Sequence, residues 1–369
     1  MVDVTRRSVV GLMAALPLLS GSARAFSAAL PAASKASSSE VRLDFNENPW
    51  GPSAAARRAM EQGVALSGRY PYRFQYQLVD LLARQLSVPA EHIEIYAGSK
   101  VALQQAVMAF TGGSRSLVLA TPTYEAPALA ARAQGAAVHE IDLDARHAHD
   151  IGAMLAADAN LGAIYICNPN NPTGTLTPMV QIERALREKP AGALVVVDEA
   201  YIHYCDAPSC VPLVKDHPDL LVLRTFSKIY GMAGARLGYA VGQPALLEKL
   251  NVLGEQNVAA ASSLLGGIAS LEDRALLPER RQANARIRSE NMAWFRDRGF
   301  TCTDAQGNFF MVDLRRPASD VAQALAQHGV RVARTWENWP TWMRVTVGKE
   351  EEMARLRKAF ALVALPAKH

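Results

Sequence analysis

Seven short runs of aliphatic and β-branched residues set the strongest constraint on how this chain can fold. Most are apolar at consecutive positions and end in a polar or turn-forming residue, which is typical of strands buried on both faces. They are Ile93–Ala97, Ser116–Ala120, Ala137–Ile141, Ala163–Cys167, Ala193–Val197, Leu220–Leu223 and Arg236–Val241. Helical patterns separate several of them, at Leu78–Leu86, Val101–Phe110 and Ala126–Gln134. This alternation predicts an α/β fold with a mostly parallel seven-stranded sheet flanked by helices.

The pattern changes after about residue 245, where longer helical segments dominate. These segments are Leu246–Leu253, Ser262–Leu271, Leu276–Arg298, Ser319–His328 and Lys349–Val363, with short strands at Phe309–Val312 and Met343–Val347. We therefore predict a smaller α+β domain at 256–369, completed by an N-terminal arm at 41–66. The large domain then spans 67–255.

Residues 1–25 differ from the rest of the chain and have the pattern of a targeting segment. Thr5-Arg6-Arg7-Ser8 precedes the short apolar run Val9–Leu19, and Ala23-Arg24-Ala25 follows as an A-x-A cleavage pattern. The run is too short to cross a bilayer as a helix. We interpret 1–25 as a twin-arginine signal peptide and 26–40 as a flexible lead-in, which predicts a periplasmic or secreted protein. A lipid-anchored N-terminus and a cytoplasmic location are the alternatives.

Composition narrows the classes of partner. Lys and Arg number 39 against 35 acidic residues, a net charge of +4, which is too even a balance to indicate a nucleic-acid binder. Four cysteines exclude a disulfide-built fold; Cys205 and Cys210 either pair after export or remain free thiols. The sequence has no G-x-G-x-x-G after a strand and no Walker loop, and the 144–150 segment favours a solvated loop over a metal site.

Polar clusters follow three of the predicted strands. They lie at Asn168–Gly174, Asp198–Tyr201 and Arg224–Arg236, and together they offer an acid, an amide, a hydroxyl, an amine and a guanidinium. Because the carboxyl ends of parallel strands meet at one edge of a sheet, we expect these groups to form one site.

The same clusters resemble the motifs of fold-type I pyridoxal-phosphate aminotransferases. The resemblance rests on Asn-Pro-Asn-Asn-Pro-Thr-Gly at 168–174, Asp-Glu-Ala-Tyr at 198–201, and Thr-Phe-Ser-Lys followed by Gly-x-x-Gly-x-Arg-x-Gly-Tyr at 225–239. More narrowly, the segments 46–52, 69–71 and 343–348 resemble histidinol-phosphate aminotransferases. The resemblance runs from about Arg42 to the C-terminus. It implies the fold of aspartate aminotransferase, with pyridoxal 5'-phosphate as the cofactor.

The resemblance also implies roles for residues around the cofactor ring. Lys228 matches the lysine that binds the cofactor covalently and then moves the substrate's Cα proton, which requires a lowered pKa. Asp198 matches the carboxylate that faces the pyridine nitrogen, so that the ring accepts electrons. Asn171 and Tyr201 match the residues that hydrogen-bond the ring oxygen, and Tyr124 matches the aromatic side chain stacked on the ring.

Other residues are implied in binding the cofactor phosphate. Ser227 and Arg236 match phosphate contacts, since arginine can bind two oxygens at once. Gly98-Ser99-Lys100 lies between a strand and a helix, where backbone N–H groups can bind the phosphate. The relatives usually carry an acidic residue at the position of Lys100, so the role of that side chain stays open.

The implied substrate contacts come from several parts of the chain. Arg344 matches the arginine that holds the α-carboxylate through two parallel hydrogen bonds. Asn48 and Asn171 are expected to contact the substrate. Tyr70 matches a residue that reaches into the neighbouring subunit's site, which implies a homodimer with shared active sites.

The resemblance says less about which residues recognise the substrate's phosphate and side chain. In histidinol-phosphate aminotransferases an arginine upstream of the Arg344 position helps to bind the substrate phosphate. We assign that role to Arg334, although Ala333 occupies the closest equivalent position and a one-residue slip on a strand reverses the side chain. Trp336, Trp339 and Trp342 either line a pocket for an aromatic or apolar substrate or pack under the small domain.

The activity implied is transfer of an amino group between an amino acid, or an amino-acid-like phosphate ester, and a 2-oxo acid, with ping-pong kinetics. The expected partners are these small molecules and a second copy of the chain, without nucleic acid or stable membrane insertion. Two alternatives stay open. One is a pyridoxal-phosphate decarboxylase of the threonine-phosphate type, and the other is a cofactor-binding module without catalysis.

Overall fold

The computed structural model describes residues 40–254 and 259–364. The predicted signal peptide at 1–25, and the lead-in as far as residue 39, lie outside the described residues. Among the described residues, no helix is both long enough and apolar enough to cross a membrane.

The elements are numbered in chain order. The strands are β1 (Val41–Leu43), β2 (Ile93–Tyr96), β3 (Ser116–Thr121), β4 (Val138–Asp142), β5 (Leu161–Cys167), β6 (Leu194–Asp198), β7 (Leu220–Thr225), β8 (Gly238–Val241), β9 (Thr301–Cys302), β10 (Phe309–Asp313), β11 (Val330–Val332) and β12 (Trp342–Thr346). The helices are α1 (Ala54–Ala65), α2 (Tyr72–Leu86), α3 (Ser99–Phe110), α4 (Ala126–Ala133), α5 (Ile151–Ala156), α6 (Met179–Glu188), α7 (Pro244–Asn251), α8 (Ala261–Glu272), α9 (Leu276–Arg296), α10 (Ala318–Gln327) and α11 (Glu350–Val363).

The large sheet contains all seven predicted strands, in the order β2-β8-β7-β6-β5-β3-β4. Neighbours pair in parallel except β8, which is antiparallel to both β2 and β7. Alternate residues of a strand join separate apolar clusters: Val195 and Val197 belong to one, Leu194 and Val196 to another. The two-sided burial explains the uninterrupted apolar runs. The prediction of a mostly parallel α/β sheet is confirmed.

The predicted smaller domain is also present. It contains a three-stranded antiparallel sheet, β12-β10-β9, and the parallel pair β1-β11, which joins the N-terminal arm to the C-terminal part. Its own apolar core includes Phe295, Phe310 and Phe360. The exact domain boundaries stay a prediction.

One strand boundary differs from the prediction in a way that matters for the site. The run Arg236–Val241 was expected to be extended throughout, but β8 begins only at Gly238. Arg236 adopts a left-handed conformation, with φ of 53°, after a short 3₁₀ helix at Ala233–Ala235. Because that turn redirects the chain, the guanidinium lies at the sheet edge rather than within a strand ladder.

Candidate active site

A cavity of about 550 Å³ lies at the carboxyl ends of the central strands. Its lining includes most of the residues predicted for the site: Ser99, Lys100, Tyr124, Asn171, Asp198, Tyr201, Ser227, Lys228, Arg236, Arg334 and Arg344. The parallel order of β5, β6 and β7 explains this convergence, because each strand delivers its following polar cluster to the same edge.

Lys228 lies just after β7, and its amine faces the N-terminal arm. The Nζ atom donates hydrogen bonds to the carbonyls of Phe45 (3.2 Å) and Asn46 (3.1 Å). Burial, together with the positive charge of Arg344, lowers the pKa of Lys228 to about 8. At pH 7 about one such amine in ten is therefore neutral, a far larger share than for an ordinary lysine. A neutral amine in this position can act as a nucleophile and a base.

Asp198 is the last residue of β6 and is almost completely buried. Its Oδ2 accepts a hydrogen bond from the Tyr165 hydroxyl (2.9 Å), and its Oδ1 accepts one from the Ala200 N–H (3.1 Å). Burial raises the pKa of Asp198 to about 6, against the lowering effects of those hydrogen bonds and of Lys228. The site therefore holds a carboxylate that lacks a full positive partner, and a cationic ring nitrogen would supply one.

Asn46 connects the arm to the cavity in a way that the sequence analysis did not identify. Its Nδ2 donates to the Tyr201 hydroxyl (3.1 Å), and its Oδ1 accepts from the Thr346 hydroxyl (3.1 Å). It adopts a positive φ of 53°, which asparagine tolerates better than most residues. The Asn46 contacts therefore fix the position of the Tyr201 hydroxyl in the cavity.

An anion-binding corner forms where α3 begins. A Cβ added to Gly98 would lie 2.4 Å from Arg236 Nη2, so only glycine lets the guanidinium lie against this turn. The first N–H groups of α3 have no partner within the helix and carry its positive dipole. Ser227 contributes a hydroxyl that accepts from Thr225 (2.9 Å). Backbone N–H groups, a hydroxyl and a guanidinium together suit a phosphate monoester.

Arg344 extends from β12 into the opposite side of the cavity. Its Nη1 donates to Asn171 Oδ1 (2.6 Å) and its Nη2 donates to the carbonyl of Asp44 (2.5 Å). Its Nε–H has no hydrogen-bond partner among the described residues. Burial lowers the pKa of Arg344 to about 10, so it stays cationic at neutral pH. A buried guanidinium whose partners are neutral oxygens suits a carboxylate ligand.

Two predicted site residues do not line the cavity. The amide of Asn48 donates to the carbonyl of Ile229 (3.0 Å) and to the Tyr204 hydroxyl (3.3 Å). Those bonds fix the arm to the loop that carries Lys228. The Asn48 amide group therefore holds these two segments together and does not face the cavity. Tyr70 lies on the surface, 82% exposed, and its ring stacks on Tyr72 at 5.8 Å between centroids.

The three tryptophans also separate. Trp336 lines the cavity, whereas Trp339 and Trp342 pack on each other (4.9 Å between centroids) and on His147. Of the two alternatives left open by the sequence, pocket lining therefore holds for Trp336, and packing against neighbouring side chains holds for Trp339 and Trp342. Within the described ranges, no group of three or more His, Cys, Asp and Glu side chains is arranged to hold a metal.

Glu125 is a cavity residue that the sequence analysis missed. It directly follows Tyr124 and precedes α4, but its side chain makes no capping bond to that helix. Its carboxylate pairs instead with Arg334, at 2.7 Å. Its position directly after Tyr124, which was predicted to stack on the cofactor ring, could have indicated that it lies near the site.

Comparison with known proteins identifies relatives over nearly the whole described chain. Residues 38–360 match the family model "Aminotransferase class I and II". Histidinol-phosphate aminotransferase of Bacillus velezensis is 34% identical over 85% of this chain and 88% of its own length. A crystal structure of a putative histidinol-phosphate aminotransferase from Erwinia carotovora covers 89% of this chain and 97% of its own, with a TM-score of 0.84 and 30% identity. The Sinorhizobium meliloti histidinol-phosphate aminotransferase, solved with pyridoxal-5'-phosphate, covers 88% and 90%, with a TM-score of 0.82 and 26% identity.

Proposed function

The chain belongs to the class I and II aminotransferase family, and from this premise we propose that it transfers an amino group from an amino acid, or a related amino phosphate ester, to a 2-oxo acid. It is an aminotransferase that uses pyridoxal 5'-phosphate. The observation that carries the proposal is the convergence of Lys228, Asp198 and Arg344 on one cavity. An amine, a carboxylate and a guanidinium there correspond to the three functions that the reaction needs.

The residues present fit the cofactor. The corner formed by Gly98, Arg236 and the start of α3 suits its phosphate, since a Cβ at position 98 would meet the guanidinium at 2.4 Å. The buried carboxylate of Asp198 suits a protonated pyridine nitrogen. Lys228 and Tyr201 line the same cavity, with Nζ 5.4 Å from the Tyr201 ring centre. Each part of the cofactor therefore has a chemically matched protein group.

Catalysis in this proposal rests on proton transfer by Lys228 and on electrostatic positioning by its neighbours. When bound, pyridoxal 5'-phosphate supplies an electron-withdrawing ring that stabilises negative charge at the substrate's Cα. Lys228 would take the proton from the substrate's Cα and hold it for return, for which its pKa of about 8 is well matched to neutral pH. The buried Asp198 carboxylate would hold a negative charge for a protonated ring nitrogen. Arg344 holds the substrate carboxylate so that the Cα–H faces the amine.

The substrate assignment remains at the level of a subfamily. The relatives named histidinol-phosphate aminotransferase support an imidazole-bearing donor. Trp336, with its ring 5.4 Å from the Arg344 guanidinium carbon, supports an aromatic or planar side chain. The proposed periplasmic location rests on the N-terminal sequence pattern alone, and it favours amino acid turnover over histidine synthesis.

A donor screen tests the proposed function. Purified holoenzyme is mixed with histidinol phosphate, aromatic amino acids and aliphatic amino acids, and the change in cofactor absorbance is followed. We expect at least one donor to convert the cofactor to its aminated form and to yield the matching oxo product by mass spectrometry. Release of carbon dioxide without an oxo product would instead identify a decarboxylase. No reaction with any donor would contradict the proposal.

We also propose that two chains form a dimer in which Tyr70 contacts the partner's cofactor. Other large apolar side chains in the same stretch of sequence are also exposed, including Val64, Leu66 and Tyr76. Sedimentation velocity should therefore give twice the monomer mass. Replacing Tyr70 by phenylalanine should leave that mass unchanged but weaken cofactor retention, by about fivefold for one lost hydrogen bond. A monomeric wild-type enzyme, or unchanged retention in the variant, would contradict this proposal.

A further inference from the structure

Two charged side chains that line the cavity, Arg334 and Glu125, have no role in the proposed reaction so far. Arg334, just after β11, and Glu125, just before α4, form an ion pair of 2.7 Å between Nη2 and Oε2. Both side chains are partly exposed, 61% for Arg334 and 47% for Glu125. The pair therefore lies at the solvent side of the cavity rather than in its interior.

Trp336 lies close to both guanidinium groups. Its ring centre is 5.4 Å from the guanidinium carbon of Arg344 and 5.6 Å from that of Arg334. One indole therefore contacts the arginine proposed to hold the substrate carboxylate and the arginine paired with Glu125. An anionic group bound at Arg344 lies in the electrostatic range of the Arg334–Glu125 pair.

The two arginines differ in what balances their charge. Arg344 donates to neutral oxygens, the Asn171 amide and the Asp44 carbonyl, so its full positive charge remains available. The charge of Arg334 is compensated by Glu125. Arg344 and the Arg334–Glu125 pair together therefore carry at most about one net positive charge, since the Asp44 carboxylate also lines the cavity and interacts with Arg344. That matches a carboxylate, with one negative charge, better than a phosphate monoester, with about −1.5 to −2.

We propose that Glu125 determines specificity by neutralising Arg334, so that the enzyme prefers donors with an α-carboxylate to donors with a phosphate ester at that position. This inference rests on the proposed function, because it assumes that Arg344 binds the donor's anionic group. Exposed ion pairs are weak, and Arg334 can leave Glu125. The conclusion survives that movement, because the carboxylate of Glu125 then remains near the phosphate and repels it.

L-histidine and L-histidinol phosphate provide a matched test. They carry the same imidazole and the same amine, and differ in whether Cα bears a carboxylate or a CH₂–O–phosphate group. The measurement is kcat/KM for amino transfer to the holoenzyme's cofactor. We expect Glu125→Gln to raise the phosphate-to-carboxylate ratio about tenfold, the effect of one removed charge in a partly solvated site. Arg334→Gln should lower the ratio, since it leaves Glu125 without its partner.

A matched control comes from another exposed ion pair, Arg132 with Glu140, at 2.6 Å on the surface outside the cavity. Glu140→Gln removes the same charge and should leave the ratio unchanged. If the enzyme accepts neither histidine compound, competition by inorganic phosphate and by acetate against the donor that it does accept gives the same ratio. An unchanged or lowered ratio in Glu125→Gln would overturn the inference. Absence of reaction with every donor would instead overturn the proposed function.

Discussion

Replacing Lys228 with alanine is expected to lower the rate of amino transfer by at least about 10⁴-fold, because proton transfer by a positioned base and the covalent anchor are lost together. The other basic side chains that line the cavity are Lys100, Arg236, Arg334 and Arg344, and an arginine cannot act as a base because it is not deprotonated in proteins. Stopped-flow absorbance of a single half-reaction, with the best donor from the screen, measures this rate directly.

Two further variants separate the chemistry of the amine from its charge. Lys228→Arg keeps a positive charge but removes a titratable nucleophile, so it should be as inactive as the alanine variant. Lys215→Ala removes an exposed lysine, 76% accessible, and should leave the rate unchanged. Reduction with borohydride should fix the cofactor to the wild-type chain and not to either Lys228 variant. Retention of more than about 1% of the wild-type rate in Lys228→Ala would rule out its role as the base.

The lowered pKa of Lys228 adds a pH signature to the same experiment. The amine must be neutral to attack the cofactor's aldehyde, and its pKa of about 8 lies below the ordinary value of 10.5. Uptake of pyridoxal 5'-phosphate by the cofactor-free protein should therefore accelerate as the pH rises through about 8 and then level off. An ordinary lysine would still be accelerating above pH 9.

The large sheet was predictable because its strands are buried on both faces. Runs such as Val195-Val196-Val197 can be identified as strands without knowing which strands they pair with. Because the strands are parallel, their carboxyl ends lie at the same edge of the sheet. The cluster after each run could be predicted for the same reason. The structure places Asp198, Lys228 and Asn171 in the lining of one cavity.

The residues that the sequence could not assign depend on contacts between distant segments. Asn48 hydrogen-bonds the carbonyl of Ile229 and does not line the cavity. Trp339 packs on Trp342 and does not line it either. Neither partner can be identified from local periodicity. Helix α1 was not predicted as such, because its apolar positions are interrupted by the paired arginines 57–58 and by Gly63, which lies against α8. A role for Glu125 could not be predicted, because its partner Arg334 follows β11, far away in the sequence.

Replacing Asp198 with asparagine is expected to lower kcat by about 10²- to 10³-fold, the usual effect of removing one preorganised electrostatic contact from an active site. Asparagine has the same shape, and its single oxygen can keep one of the two hydrogen bonds that the carboxylate accepts from Tyr165 and Ala200, but it cannot stabilise a protonated ring nitrogen. The measurement is again the single half-reaction rate. As a control, Asp142→Asn changes an exposed aspartate that also ends a parallel strand of the same sheet, and it should leave the rate unchanged.

The stability of the cofactor-free protein distinguishes a catalytic defect in Asp198→Asn from a folding defect. Burial raises the pKa of Asp198 from 3.8 to about 6, so the folded state binds this proton more tightly than the unfolded state does. Ionisation therefore destabilises the folded protein progressively as the pH rises from about 4 to 6, and the penalty persists above that range. Asparagine removes this penalty, about 3 kcal/mol for a shift from 3.8 to about 6, and this outweighs the about 1 kcal/mol of the one hydrogen bond that asparagine cannot accept. The cofactor-free variant should consequently melt at the same temperature as wild type or higher at pH 7, while its turnover is lost. A lower melting temperature together with reduced activity would mean that the carboxylate supports the fold rather than the cofactor's chemistry.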